Sequence, residues 1–178
     1  MKSSKKLYVF DFDDTLVTTD CKTLVAHTDG TTTELTPADF VTYEIFPGDV
    51  FDFAQFRKLI NPRELPFCMS IFRGVYAALG SSAVAVLSAR VSVDPINEFL
   101  AIVGMTGITT HITPNPDPRH KADWIDSQIV ERDLDEVEFF DDAIKNITAV
   151  RKLRSKHPSV GFKTHHIVDG VCCSCNHQ

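Results

Sequence analysis

The sequence predicts an α/β protein: an open, mainly parallel sheet of Rossmann-like, three-layer α/β/α form, with a small cap-like insert after the first strand. Two observations carry this. Short apolar runs alternate with longer helical patterns along most of the chain, as repeated strand–helix–strand units do. The runs are also almost free of charge, as strands covered on both faces must be. With 178 residues, 43% apolar and 24% charged, the chain suits one ordinary domain over 1–178. It is long enough to bury about 70% of its unfolded surface.

The elements follow in order. Residues 7–10 are a short buried strand, and the next such run, 84–87, begins more than seventy residues later. One crossover helix needs far less, so 17–65 is read as the insert. Within it, 22–28 and 31–35 flank Asp29-Gly30, a dipeptide that supplies the positive φ angles of a tight hairpin turn. Thr36-Pro37 then opens a short helix, Thr36 as cap and Pro37 in the first turn. The stretch from Phe46 to Phe56 carries four phenylalanines and is expected to pack as a loop against the domain, with a pocket border as the alternative. Helices are expected over 66–79, over 95–103 ending near Gly104, over 121–129, and over 144–156 ahead of Pro158. Strands are expected over 109–112, 137–140 and 165–168.

Several function classes drop out early. Eighteen Lys and Arg against 24 Asp and Glu leave a net charge of −6, which disfavours non-specific capture by nucleic acid or anionic membrane. The basic stretch Arg151, Lys152, Arg154, Lys156 and Lys163 reads as a solvated helix face. After the basic start, the apolar run of a secretory signal is cut by Asp11, Asp13 and Asp14, and no run approaches the ~20 residues that span a bilayer. A cytoplasmic protein without a membrane partner is expected. Cys21 and Cys68 are scattered, while Cys172, Cys173 and Cys175 crowd the end; neither pattern is a disulfide framework or a paired zinc motif. Neither a P-loop nor a dinucleotide fingerprint is present.

The chemistry lies in the acids. Asp11-Phe12-Asp13-Asp14-Thr15-Leu16 follows directly on the first strand, and Asp141-Asp142 ends the fourth. In open α/β sheets ligands bind beyond the carboxyl ends of strands. Acids crowded there repel one another unless a cation is bound or their charge is used. Two clusters of hard oxygen donors at neighbouring strand ends are the composition expected for Mg2+.

The first of these segments resembles the first signature of the haloacid dehalogenase (HAD) superfamily. Leu87-Ser88-Ala89-Arg90, Lys121, and Phe140-Asp141-Asp142 with Asn146 are similar to its other three signatures and follow in order. The resemblance covers 5–16 and about 83–168, and is weak across the insert. The chain also resembles small HAD-like hydrolases of tailed bacteriophages, which would place it in the host cytoplasm. The resemblance implies a Mg2+-dependent phosphate monoester hydrolase working through an aspartyl-phosphate. Asp11 would be the nucleophile and Asp13 the general acid and base, with Thr15 bracing the turn between them. Ser88 and the Ala89 N–H would hold the phosphate, with Lys121 as the stabilising charge. Mg2+ would sit on Asp11, the Asp13 carbonyl, and Asp141 or Asp142. Adjacent residues at a strand end point apart, so one of that pair would bind metal and the other would support it or pair with lysine. Asn146 would complete the shell, and Arg90 would support the substrate or form a structural ion pair. The acid at position 13 implies a phosphatase or a phosphomutase; a non-catalytic binding protein on the same scaffold is the competing class. The small insert implies an open site, suited to a phosphorylated small molecule, a nucleotide or a nucleic-acid end.

Overall fold

The computed structural model describes residues 5–173. The chain start and Cys175 fall outside them. The chain runs β1 (Lys6–Phe10), β2 (Val17–Thr18), β3 (Thr23–Ala26), β4 (Thr32–Leu35), α1 (Pro37–Thr42), β5 (Val50–Asp52), β6 (Arg63–Glu64), α2 (Pro66–Leu79), β7 (Val84–Ser88), α3 (Asp94–Ile102), β8 (Thr109–Ile112), α4 (Pro118–Arg132), β9 (Glu136–Asp141), α5 (Ile144–Lys156), β10 (Gly161–Val168) and β11 (Val171–Cys172).

Six strands form one sheet in the order β11-β10-β9-β1-β7-β8. All neighbours are parallel except β11, which lies antiparallel against β10. The central strand β1 pairs with β7 on one side and β9 on the other, Phe10 opposite both Val86 and Phe140. From β1 the chain builds one half of the sheet through β7 and β8, then crosses back to β9. The carboxyl end of β1 is therefore the point where strand order reverses, the usual crevice of such sheets.

Alternation along β1 divides the core. Leu7 and Val9 face α4 and α5, packing with Val137, Phe139, Ile125, Ile129 and Ile147. Phe10 faces the other way, toward Cys68, Met69 and Phe72 of α2 and Ile96 and Leu100 of α3. Both clusters are closed to solvent, and each such fully buried side chain contributes about 1.5–3 kcal/mol. On the α2 side, the Phe10 and Phe140 rings stack at 4.4 Å, which sets the ends of β1 and β9 side by side.

The insert differs from expectation in one respect. The hairpin and capped helix are present, Thr36 and Asp39 forming a reciprocal capping box. The aromatic stretch, however, contributes a third strand: β5 pairs antiparallel with β3, giving the order β4-β3-β5. Phe51 and Phe53 pack against Phe40 of α1, at 5.7 and 5.6 Å, while the Phe56 ring lies against Arg90 just past β7. A neck of β2 against β6 joins the insert to the sheet.

Elsewhere the boundaries moved most at β10 and α4. β10 starts at Gly161 rather than 165, with Phe162 and Thr164 buried but Lys163 exposed. A strand near a sheet edge alternates, so a search for charge-free runs overlooks its start. α4 begins at Pro118 behind an Asp117 cap that accepts from the Arg119 N–H, which places Lys121 in the first turn. Among the described residues no helix is long and apolar enough to cross a membrane.

Candidate active site

Asp11 follows β1 directly, and its N–H donates to the Phe140 carbonyl, so the ladder between β1 and β9 continues to the acid itself. Beyond it the chain turns tightly: the Leu16 and Val17 N–H groups both donate to the Phe12 carbonyl, and the Asp14 N–H donates to Val17. Asp14 takes a left-handed backbone, φ 54°. Backbone bonds, not Thr15, brace this turn. Thr15 is fully buried and its Oγ1 has no hydrogen-bond partner among the described residues.

Lys121 links the two acidic clusters. Its Nζ donates to Asp11 Oδ1 at 2.5 Å and to Asp141 Oδ2 at 2.7 Å, with all three side chains buried. Burial works against the lysine charge, but Asp11 and Asp141 outweigh it and hold the ammonium above the ordinary lysine value. Asp141 is fully partnered. Its Oδ1 accepts from the Ala143 N–H at 2.8 Å and from Asn146 Nδ2 at 2.8 Å, and its Oδ2 also accepts from Asn146 at 3.0 Å. Between the alternatives left open by the sequence, Asp141 is the acid that pairs with lysine.

Asp142 stands differently. Burial first, and then the neighbouring Asp141 charge, push its carboxyl up to about 7. Asp11 is also raised well above the usual carboxylate range, chiefly by burial, with Lys121 pulling it back. One cation therefore faces more buried negative charge than it can balance, and the excess lies on hard oxygen donors. That is a set Mg2+ fits. No group of three His, Cys, Asp or Glu side chains is gathered as a ready-made metal cluster among the described residues. Two carboxylates and a backbone carbonyl would have to serve.

Ser88 ends β7, on the other side of β1 from Asp141. It is buried, its Oγ accepting from the Arg90 N–H at 3.2 Å and its carbonyl from the Thr113 N–H at 2.8 Å. Ala89, next to it, is exposed. Arg90 turns back under the site: Nε donates to Asp13 Oδ2 at 2.8 Å and Nη2 to Asp13 Oδ1 at 2.6 Å. Of the two roles open to Arg90 from sequence, the ion pair is the one formed.

Some contributors carried no signal in the sequence. His166 Nε2–H donates to the Asp142 carbonyl at 2.8 Å, steadying the chain at the second acid. Thr113 holds Ser88 from β8's end. Asp14, by contrast one of the acids singled out from the sequence, rims a cavity of about 390 Å³ also lined by Thr18, Cys21, Lys22, Thr36 and Arg63. The aromatics of the insert do not line it. The basic stretch of the carboxyl third engages in local pairs: Arg151 with Thr164, Arg154 with the Phe162 carbonyl, Lys156 with Asp126 and Lys163 with Glu136.

No protein-family model matches the chain, and no curated protein matches it either. The site's own geometry is therefore what bears on function.

Proposed function

We propose that this protein is a Mg2+-dependent phosphate monoester hydrolase of the HAD type. The observation that carries the reading is the buried Lys121 bridge between Asp11 and Asp141, acids from two adjacent parallel strands brought together at the switch point of the sheet. A carboxylate is an adequate nucleophile if it is ionised, and Lys121 favours that form. The Asp11 oxygen attacks phosphorus and the bond to the leaving oxygen breaks, giving an acyl phosphate. Asp13 gives its proton to that oxygen. It then takes one from water, whose oxygen attacks phosphorus and releases the Asp11 carboxylate and inorganic phosphate.

Ser88 and the Ala89 N–H bind phosphate oxygens, and Lys121 offsets the charge that develops on them. Mg2+ would be held by Asp11, the Asp13 carbonyl and Asp142, since the Asp141 oxygens are taken by Lys121, Asn146 and the Ala143 N–H. Bound there, it would screen the repulsion between an anionic nucleophile and an anionic phosphate. The substrate is a phosphorylated small molecule, with nucleotides and nucleic-acid ends included because the insert is small.

The test is phosphate release from p-nitrophenyl phosphate, sugar phosphates, mononucleotides and 3′- and 5′-phosphorylated oligonucleotides, with Mg2+ or with EDTA. Release that needs Mg2+, and that Asp11→Asn lowers by at least about a thousandfold, supports the reading. No release across the panel, or full activity in Asp11→Asn, sinks it.

A further inference from the structure

Resting on that reading, we infer that Arg90 is the positioning residue for Asp13 and ties leaving-group protonation to the placement of the insert. Arg90 is 3% exposed, and its fork is fully used. Nε and Nη2 grip Asp13 in a bidentate pair at 2.8 and 2.6 Å. Nη1 donates to the Phe56 carbonyl at 3.2 Å and the Lys58 carbonyl at 3.0 Å. The second Nη2 proton faces Thr19 Oγ1 at 3.4 Å and Cys21 Sγ at 3.9 Å. The Phe12 and Phe56 rings lie within 5.5 and 5.3 Å of the guanidinium carbon.

Four separate stretches of chain therefore meet on one side chain: the turn after β1, residues 19–21, the end of β7, and residues 56–58 of the insert. The insert side is fixed in its own right. Cys21 Sγ donates to the Gln55 and Lys58 carbonyls at 3.5 Å each, the Lys22 N–H to Gln55 Oε1 at 2.9 Å, and the Asp20 N–H to the Ile60 carbonyl at 2.9 Å. A planar fork transmits position as well as charge, because each N–H direction is set by the others. Where residues 56–58 sit, the fork sits, and the Asp13 carboxyl follows. The bidentate contact uses one lone-pair direction on each Asp13 oxygen, so another stays available for the leaving oxygen or for water.

Such a residue governs one step selectively. A p-nitrophenolate leaves as a stable anion and needs no proton, whereas an alkoxide does. The ratio kcat/KM reports only the steps up to the acyl phosphate, before Asp13 acts as base. The measurement is kcat/KM for p-nitrophenyl phosphate and for glycerol phosphate with the full-length protein and Mg2+, in wild type, Arg90→Lys, Phe56→Leu, Asp13→Asn and the Asp13→Asn, Arg90→Lys double variant. Arg90→Lys is expected to lower glycerol phosphate turnover by about 30- to 300-fold, within what a general acid contributes, and the aryl substrate by less than about threefold. Added to Asp13→Asn, it is expected to cost less than about twofold more, because Arg90 acts through Asp13.

Equal losses on the two substrates, or losses that multiply in the double variant, overturn the inference while leaving the phosphatase reading intact. Should Arg90→Lys fail to fold, Phe56→Leu decides: it removes the ring over the guanidinium but keeps the carbonyl, and must show the same substrate bias in weaker form. A wild type that releases no phosphate from these two substrates or from any other of the panel refutes the phosphatase reading and this inference with it.

Discussion

Asp142→Asn should make the cation-free protein more stable while abolishing the proposed phosphatase activity. Asp142 has its carboxyl pushed from 3.8 up to about 7 by burial and by Asp141. A raised acid costs stability where the unfolded chain is ionised and the folded one has to ionise in an unfavourable place. The penalty is absent below about pH 4, grows between about pH 4 and 7, and is complete above 7. A shift of about three units corresponds to ~4 kcal/mol at pH 8 and ~2 kcal/mol at pH 5. Asparagine keeps the shape and cannot ionise, so Asp142→Asn gains that amount, equivalent to a rise of about 10 °C in Tm at pH 8 for a chain of this size. Saturating Mg2+ should reverse the order, because only the wild-type acid gains binding free energy from it. Urea unfolding of both proteins at pH 5 and pH 8, each with EDTA or Mg2+, measures all four cases. A variant less stable than wild type at pH 8 in EDTA, or a gain that does not change between the two pH values, refutes the reasoning.

Three further outcomes are expected. Lys121→Met leaves Asp11 and Asp141 without their shared cation, and should cost ~3–5 kcal/mol at pH 7 in EDTA, seen by urea unfolding, together with all phosphate release. Glu138 is held down at about 2 by hydrogen bonds from His165 and then Lys6, so its contribution is present above pH 4.5 and fades as pH falls toward 2. Because that site is partly open to solvent, Glu138→Gln should lose only ~1–2 kcal/mol at pH 7, and the difference from wild type should shrink in acid unfolding curves. Gly48 has φ 90°, and a Cβ there would collide with Thr28 Cγ2, so Gly48→Ala should cost ~2 kcal/mol. Hydrogen exchange should rise across the insert and leave the β1–β9 amides protected.

The strand ends were legible because the signals that place them are local. Five runs almost free of charge and the acids that follow two of them can be read directly, and parallel burial on both faces requires that pattern. The capped helix α1 was legible for the same reason, since Thr36, Pro37 and Asp39 act within one turn. β5 was not: Val50–Asp52 are mixed in character, and they become a strand only because β3 offers them a free edge. The β10 start was missed where Lys163 interrupts the apolar run. The division of labour between Asp141 and Asp142 was also invisible, because adjacent acids have the same chemistry until a neighbour chooses between them.

Sequence alone determined the alternation of strands and helices, the position of a long insertion, and the acids, serine and lysine available for chemistry at strand ends. These depend on periodicity and residue type within a few positions. Tertiary structure decided which groups meet. Lys121 reaches Asp11 across 110 positions of chain, and Arg90 reaches Asp13 across 77. It also decided that Asp141 takes the lysine and Asp142 keeps an unbalanced charge. Such pairings follow from strand order and from how deeply each group is buried, and burial sets the strength of every charge at the site.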